Sequence, residues 1–89
     1  MDLSIVIPVH NERDNVATLA DEIQAALGGK LDFEVIFVDD GSKDGTWSII
    51  RKLRQSDPHV LGLRHRRNFG KARALSHGFA AASGSAIVT

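Results

Sequence analysis

The sequence predicts an α/β protein in which a parallel sheet carries helices on both faces. Apolar runs of strand length alternate with stretches of helical periodicity in the order βαβαβαβ. Helical connections of this length join parallel strands through right-handed crossovers. With 89 residues, 43% of them hydrophobic and 25% charged, the chain has the composition of one small globular domain, 1–89. These features together predict a three-layer, Rossmann-like sheet.

The first predicted strand covers residues 3–9 and leads into a helix. Pro8 is expected to help end the strand, because proline cannot donate to a central ladder. Asn11 is the expected N-cap of the helix. Apolar residues then recur at three- and four-residue steps over residues 16–27, which predicts a helix with one face on the sheet. A glycine pair follows and is expected to end it.

The second predicted strand, residues 33–39, is the feature around which the chain is organised. Its four consecutive apolar residues are bounded by acids, as in a strand buried on both faces. It ends on Asp39 and Asp40, and a polar turn with Asp44 as the expected cap leads to a helix that begins at Trp47. Open α/β sheets bind ligands at the carboxyl ends of their strands. Two carboxylates there suit either a metal ion or a ligand with hydrogen-bond donors, such as a nucleoside.

The remaining strands and the third helix are shorter or richer in small residues. Residues 60–63 form a predicted strand, and Gly70 opens a helix whose small side chains let it lie close to the sheet. Leu75 and Phe79 are its expected larger anchors. Residues 86–88 begin a fourth strand. A parallel strand that stops at its carboxyl end suggests that the domain is truncated there.

Charge is distributed unevenly, although the net charge is zero. Residues 1–45 carry ten acids and three bases, a balance of −7, whereas residues 46–89 carry one acid and eight bases, a balance of +7. Two such halves could hold a metal and an anionic ligand between them. His59 and His65 flank the third strand and are expected to face solvent. Five bases crowd around one turn: Arg64, Arg66, Arg67, Lys71 and Arg73.

Several common motifs are absent. The turn over residues 8–12 has no glycine, which excludes a dinucleotide-binding loop. The run from Asp40 to Gly45 imitates the start of a calcium loop, but its twelfth position is Arg51, where the ion needs a bidentate carboxylate. No G-x-S-x-G elbow surrounds Ser42. Without cysteine, a signal peptide or a membrane-length apolar run, the expected location is cytoplasmic.

Three successive motifs resemble the signatures of the family 2 glycosyltransferases. They read Ile5-Val-Ile-Pro8-Val-His-Asn11-Glu12, Val38-Asp39-Asp40-Gly-Ser42-x-Asp44-Gly45-Thr46 and Arg67-Asn68-x-Gly70-Lys71-Ala-x-Ala74-Leu75. Their order and intervals match as well as their residues, and they cover nearly the whole chain. The run from Arg67 to Thr89 most resembles the branch that transfers sugars to polyprenyl phosphates.

This resemblance implies a GT-A fold and an enzyme of which the chain supplies the nucleotide-binding half. The intact protein would be an inverting glycosyltransferase that moves a sugar from a UDP- or GDP-type nucleoside-diphosphate sugar to an acceptor, a polyprenyl phosphate. The 89-residue chain alone is expected to be inactive. Mg²⁺ or Mn²⁺ is implied for the intact enzyme, with the Asp-x-Asp motif that binds it expected beyond Thr89. The full-length protein is expected to associate peripherally with the cytoplasmic membrane face, and no nucleic-acid partner is expected.

The resemblance also implies a nucleotide-sugar site. The loop after the first strand would line the base and ribose, Asp39 would accept a hydrogen bond from the base edge, and Asp40 would support the ribose side. Lys71 and Arg73 would face the diphosphate near a helix N-terminus. No catalytic residue or metal ligand is expected within the chain. The site residues are Pro8, Val9, His10, Glu12, Asp39, Asp40, Gly41, Ser42, Lys71 and Arg73.

The sequence is compatible with more than one role for His10 and for the chain. His10 stands where most family members have tyrosine, and its imidazole either stacks on a base, more weakly and with a titratable charge, or packs on its own loop. The chain could also be a non-catalytic nucleotide-binding or interaction module. An Asp-x-Asp soon after Thr89 would favour the enzyme, and a stop codon there would favour the module. A phospho-acceptor domain of the response-regulator type lacks its required aspartate and lysine after the later strands.

Overall fold

A computed structural model describes residues 1–89. Four strands, β1 (Leu3–Val9), β2 (Phe33–Asp40), β3 (Val60–His65) and β4 (Ala86–Val88), form one parallel sheet in the order β3-β2-β1-β4. This confirms the predicted βαβαβαβ order and the parallel sheet. No helix has both the length and the apolar character needed to cross a bilayer. The helices that connect the strands are α1 (Val16–Leu27), α2 (Thr46–Ser56) and α3 (Lys71–Ala81).

The central strand β2 separates two apolar cores, and all eight of its residues are buried. On one face, Phe33, Val35 and Phe37 pack with residues of α1 and α2. On the other face, Ile36 and Val38 pack with residues of α3. The alternation of a strand therefore gives three layers, with α1 and α2 on one side of the sheet and α3 on the other.

Helix α3 lies very close to the sheet because it presents small residues to it. A Cβ atom added to Gly78 would lie 2.2 Å from Cγ1 of Val6 and 3.2 Å from Cγ2 of Val38. Ala74, one turn earlier, is fully buried. The expectation that Phe79 anchors α3 to the sheet is wrong, since 42% of this residue is exposed. Phe79 follows Gly78 directly, so the helical rotation turns its side chain away from the sheet.

Strand β1 has the predicted bounds, and Pro8 is its last residue but one. It continues through Pro8 to Val9, which pairs with Asp39 of β2. On its other side, β1 pairs with β4 only from Leu3 to Ile5. Pro8 therefore lies in a stretch of β1 that has a strand partner on one side only, where proline is tolerated.

Candidate functional site

Asp39 and Asp40 end the central strand with their side chains on opposite faces of the sheet. Asp39 lies on the same side of the sheet as Phe37, the side covered by α1 and α2, and it is fully buried. Its Oδ1 accepts a hydrogen bond from the Ser42 N–H at 2.9 Å, whereas its Oδ2 has no hydrogen-bond partner. The intervening Gly41 has φ 76°, the left-handed conformation that lets the turn double back within three residues.

Asp40 faces α3 and ties the turn before that helix to the sheet. Its Oδ1 accepts hydrogen bonds from the Phe69 N–H at 2.8 Å and from the His65 ring at 2.9 Å, and its Oδ2 accepts one from the Gly70 N–H at 3.0 Å. Burial raises the pKa of Asp40, but these hydrogen bonds outweigh burial and bring the pKa below its ordinary value of 3.8. The carboxylate is therefore ionised at neutral pH.

The expectation that His65 faces solvent is wrong. Only 7% of this residue is exposed. Its ring nitrogen Nε2 lies 2.7 Å from Nδ1 of His77 on α3, so His65 bridges Asp40 and His77. His59 is also partly covered, because its ring stacks on Phe33 with 4.2 Å between the ring centroids. The strand's alternation explains His65, which shares the α3 side with Leu61 and Leu63.

Four hydrogen bonds hold the loop between β1 and α1 against the turn that follows β2. Asn11, the expected N-cap, makes two of them instead of capping a helix; its φ is 53° and α1 begins only after Asn15. Asp44 also accepts the Thr46 N–H at the start of α2, although the N-cap position itself is Gly45. The four bonds join Asn11 N–H to Ser42 Oγ, Lys43 N–H to Asn11 Oδ1, Glu12 N–H to Thr46 Oγ1 and Arg13 N–H to Asp44 Oδ2.

A cleft of about 270 Å³ opens at the carboxyl edge of the sheet and is lined by Pro8, His10, Asp40, Asn68 and Lys71. Four of these five residues belong to the predicted site; Asn68 does not, although it stands in the third motif. His10 Nδ1 lies 2.8 Å from the carbonyl oxygen of Asp40. Because a carbonyl oxygen can only accept, Nδ1 carries the proton and donates it. The cleft thus combines a fixed imidazole, a carboxylate and an ammonium group.

The other predicted residues lie around this cleft without lining it. Val9 and Glu12 line a neighbouring, mostly apolar cleft of about 210 Å³ between β1 and α1. Arg73 extends over Phe69, with its guanidinium carbon 5.1 Å from the ring centroid. The Gly41 turn rests on the backbone of the turn before α3. The structure therefore brings Pro8, His10, Asp40 and Lys71 to one cleft and distributes the remaining predicted residues over its surroundings.

The residues of this chain do not fit a divalent metal ion. No group of three or more histidine or acidic side chains converges on one point. The sequence contains no Asp-x-Asp. Asp40, the one acid in the cleft, already accepts three hydrogen bonds from N–H groups. A cation there would compete with donors that the fold itself supplies.

Known proteins resemble the chain in sequence. The family described as "Glycosyl transferase family 2" matches residues 4–89. A bactoprenol glucosyl transferase of Shigella phage SfV is 42% identical over 89 residues, covering 99% of this chain and 29% of that protein. A dolichol-phosphate mannosyltransferase of Pyrococcus furiosus is 39% identical over 88 residues, covering 99% of this chain and 24% of that protein. The chain thus spans less than a third of the length of these relatives.

Solved structures resemble it in fold. The mannosyltransferase PcManGT from Pyrobaculum calidifontis, in complex with GDP-Man and Mn²⁺, superposes with a TM-score of 0.85 at 26% identity, covering 96% of this chain and 25% of that one. Residues 1–349 of S. aureus TarS give a TM-score of 0.84 at 25% identity, covering 99% and 27%. These matches confirm the predicted GT-A fold. With a family match over residues 4–89, the chain belongs to glycosyl transferase family 2.

Proposed function

We propose that residues 1–89 form the nucleotide-binding half of an inverting glycosyltransferase. The intact protein would move a sugar from a nucleoside-diphosphate sugar to a polyprenyl phosphate. Two similar proteins are named as a bactoprenol glucosyl transferase and a dolichol-phosphate mannosyltransferase, and a structural neighbour holds GDP-Man. These names support both the donor class and the acceptor class of the proposal.

The observation that carries the proposal is the buried Oδ2 of Asp39, which lacks a hydrogen-bond partner. An unsatisfied buried acceptor costs about 1–3 kcal/mol, and a charged one costs more, so a ligand that supplies a donor gains that energy on binding. A nucleobase offers such a donor in its ring N–H. Asp39 is fully covered, so the base can reach Oδ2 only when a neighbouring segment shifts. We propose that the loop after β1, which begins next to the strand partner of Asp39, Val9, is the segment that moves.

The positive charge for the diphosphate comes from the start of α3. Lys71 lines the cleft, and neither Lys71 nor Arg73 has a carboxylate partner within 4.0 Å. Both lie in the first turn of an eleven-residue helix, whose N-terminus favours anions. Free cations at this place support the role of these two residues as contacts for the diphosphate.

The proposed reaction needs little further chemistry from this part of the protein. Direct displacement at the anomeric carbon inverts its configuration. A polyprenyl phosphate is already anionic, so its oxygen attacks without a strong general base. The divalent ion would bind an Asp-x-Asp motif outside these 89 residues and would there stabilise the leaving diphosphate. Because the acceptor is a membrane lipid, the full-length protein would work at the cytoplasmic membrane face as a peripheral protein.

The test is a calorimetric titration of the 89-residue chain with UDP and with GDP, each with and without Mn²⁺. We expect one of the two nucleotides to bind weakly, with no gain from Mn²⁺, because the chain offers the ion no ligands. Asp39→Asn keeps the shape of the side chain but presents an N–H where the base needs an acceptor. Its affinity should fall by about 1–3 kcal/mol, or roughly 5- to 150-fold.

The matched control is Asp21→Asn, an equal change of charge at an exposed position of α1. It should leave the affinity unchanged. An Asp39→Asn variant that binds as tightly as the wild type would refute the proposed place of the nucleoside. Binding of neither UDP nor GDP by the wild-type chain would refute nucleotide binding by this half of the protein.

A further inference from the structure

One buried polar cluster is not used by the proposed function. Asp40, His65 and His77 form an unbroken line of side chains from the cleft to the surface of α3. The His65 ring is 2.9 Å from Asp40 Oδ1 and 2.7 Å from His77. Asp40 and His65 are 4% and 7% exposed, whereas His77 is exposed. The line therefore joins a group that solvent reaches to a carboxylate that lines the cleft.

The chemistry of these three groups fixes where their protons are when both rings are neutral and Asp40 is ionised. An ionised carboxylate only accepts, so His65 donates to it through Nδ1–H. The Nε2 atom of neutral His65 is then an acceptor, and His77 must donate to it through its own Nδ1–H. The Nε2 atom of His77 is left with a free lone pair. Both rings therefore hold the Nδ1–H tautomer, although free imidazole side chains in water favour Nε2–H.

This arrangement lets one proton change the charge next to Asp40 without moving a heavy atom. A proton from water adds to Nε2 of His77, and the proton on Nδ1 of His77 passes to Nε2 of His65. His77 ends as a neutral ring with its proton on Nε2. His65 ends as an imidazolium with protons on both nitrogens, paired with the Asp40 carboxylate. All hydrogen bonds of the line are kept, and one proton has been taken up.

We propose that His65 and His77 relay a proton from the surface to the side of Asp40, and that this raises the affinity of the cleft for a nucleoside diphosphate as the pH falls. The coupling to nucleotide rests on the proposed function; the relay itself does not. A positive His65 cancels the charge of Asp40, so the cleft with Lys71 attracts a polyanion more strongly. Imidazoles take up protons between about pH 5 and 8, so the effect falls in that range.

The charged groups around His65 and His77 have opposite effects on a positive charge there. From β2, Asp40 favours a positive His65. Arg64 and Arg66 flank His65 in the sequence, and Arg73 stands one helical turn before His77 on α3. These three cations disfavour a charge on either ring, but none has a hydrogen bond to it, whereas the carboxylate does. A charge is therefore better placed on His65 than on His77.

Nuclear magnetic resonance of the wild-type 89-residue chain tests the relay directly. Long-range ¹H–¹⁵N correlation of the histidine rings distinguishes the two tautomers and the imidazolium. At pH 8 we expect both His65 and His77 as Nδ1–H tautomers. At pH 6 we expect charge on His65 and a neutral Nε2–H ring for His77. A His77 that is Nε2–H at pH 8, or that carries the charge while His65 stays neutral, overturns the proposal.

Titration with UDP and GDP at pH 8 and pH 6 tests the coupling. His65→Asn replaces the ring by an amide whose Nδ2–H can still donate to Asp40, but which cannot take up a proton. At pH 8 the nucleotide affinities of the variant and of the wild type should agree within about twofold. At pH 6 the wild type should bind at least about threefold more tightly than the variant. His10 also lines the cleft, but it is present in both proteins, so the difference between them belongs to His65.

His59→Ala serves as the control, because His59 precedes β3 at the opposite edge of the sheet. It should follow the wild-type pH profile. Equal pH profiles for the wild type and His65→Asn overturn the coupling. If neither nucleotide binds at any pH, the proposed function and the coupling both fail, and the tautomers seen by resonance still decide whether the relay exists.

Discussion

Gly41→Ala tests how the two turns of the candidate site are held together. Gly41 has φ 76°, which a residue with a Cβ adopts only with strain. A Cβ added there would lie 2.3 Å from the carbonyl carbon of Arg67 and 2.4 Å from the nitrogen of Asn68. Both are backbone atoms, so no side-chain rotation can relieve the contact. The turn between β3 and α3 must move away from the turn after β2.

The expected loss of stability is the sum of two effects. The left-handed conformation costs a residue with a Cβ about 1–2 kcal/mol. Forcing an atom into an occupied space costs about 1–3 kcal/mol more, and backbone neighbours place this case at the upper end. A domain of this length has a total stability of about 4–13 kcal/mol. The variant should therefore lose a large part of its stability, and the Phe69 and Gly70 N–H groups should separate from Asp40.

Gly29→Ala provides the matched control. Gly29 has the same φ of 76°, but a Cβ there meets nothing within 4 Å. The Gly29→Ala variant therefore loses only the free energy that the left-handed conformation costs, with no steric clash. Urea unfolding followed by circular dichroism should show Gly41→Ala to be less stable than Gly29→Ala by at least about 1–3 kcal/mol. The free energy of unfolding should fall with urea concentration at a similar slope in both variants. Equal losses in the two variants would refute the close contact between the turns.

The packing of α3, the charge of Asp40 and the activity of the isolated chain can each be tested by one experiment. Gly78→Ala places a Cβ atom against Val6, which should destabilise the chain by about 1–3 kcal/mol. The higher helix propensity of alanine should offset about 1 kcal/mol of this loss. Urea unfolding that shows a net gain in stability would contradict this packing of α3 on the sheet. The lowered pKa of Asp40 predicts a contribution to the free energy of unfolding that is fully present above pH 3.8 and is lost as the pH falls through the lower pKa of the folded state. When unfolding is measured from pH 7 to pH 2, the stability of Asp40→Asn should therefore fall less steeply at acid pH than that of the wild type. An equally steep fall in both proteins would refute the lowered pKa of Asp40. The 89-residue chain should not turn over UDP-glucose or GDP-mannose in the presence of Mn²⁺ and a polyprenyl phosphate; measurable release of nucleoside diphosphate would show that it is catalytically sufficient.

Periodicity predicted the elements of this fold because most of its strands and helices are decided by burial. The apolar run of β2 and the three- and four-residue steps of α1 are local signals, and the structure follows them. Asn11 and Phe79 were misplaced because distant contacts decide them. The partners of Asn11, Ser42 and Lys43, lie some thirty residues away in the sequence. The side chain of Phe79 is turned outward by the small residues that α3 presents to the sheet.

The candidate site was predictable in part, for a similar reason. The motifs placed Pro8, His10, Asp40 and Lys71 at the carboxyl edge, and these four line one cleft. The burial of His65 could have been found from the alternation of β3, which places it on the same face as Leu61 and Leu63. Its pairing with His77 could not, because that contact depends on how α3 is rotated about its axis over the sheet. Helical periodicity alone leaves this rotation open for a helix of mostly small residues.

Asp39 and Asp40 are both buried, but they differ in what their carboxylates still lack. Asp40 lines the cleft with both oxygens hydrogen-bonded, whereas Oδ2 of Asp39 has no partner. The loop that begins after Val9, the strand partner of Asp39, is held by four hydrogen bonds. Each such bond contributes about 0.5–1.5 kcal/mol, so releasing all four costs about 2–6 kcal/mol. If a nucleoside reaches Oδ2 of Asp39 by opening this loop, its affinity is reduced by that energy, or about 30-fold to 10⁴-fold. The proposed route to Asp39 therefore predicts weak binding by the 89-residue chain, and any contact that holds the loop open should strengthen nucleotide binding without touching the nucleotide.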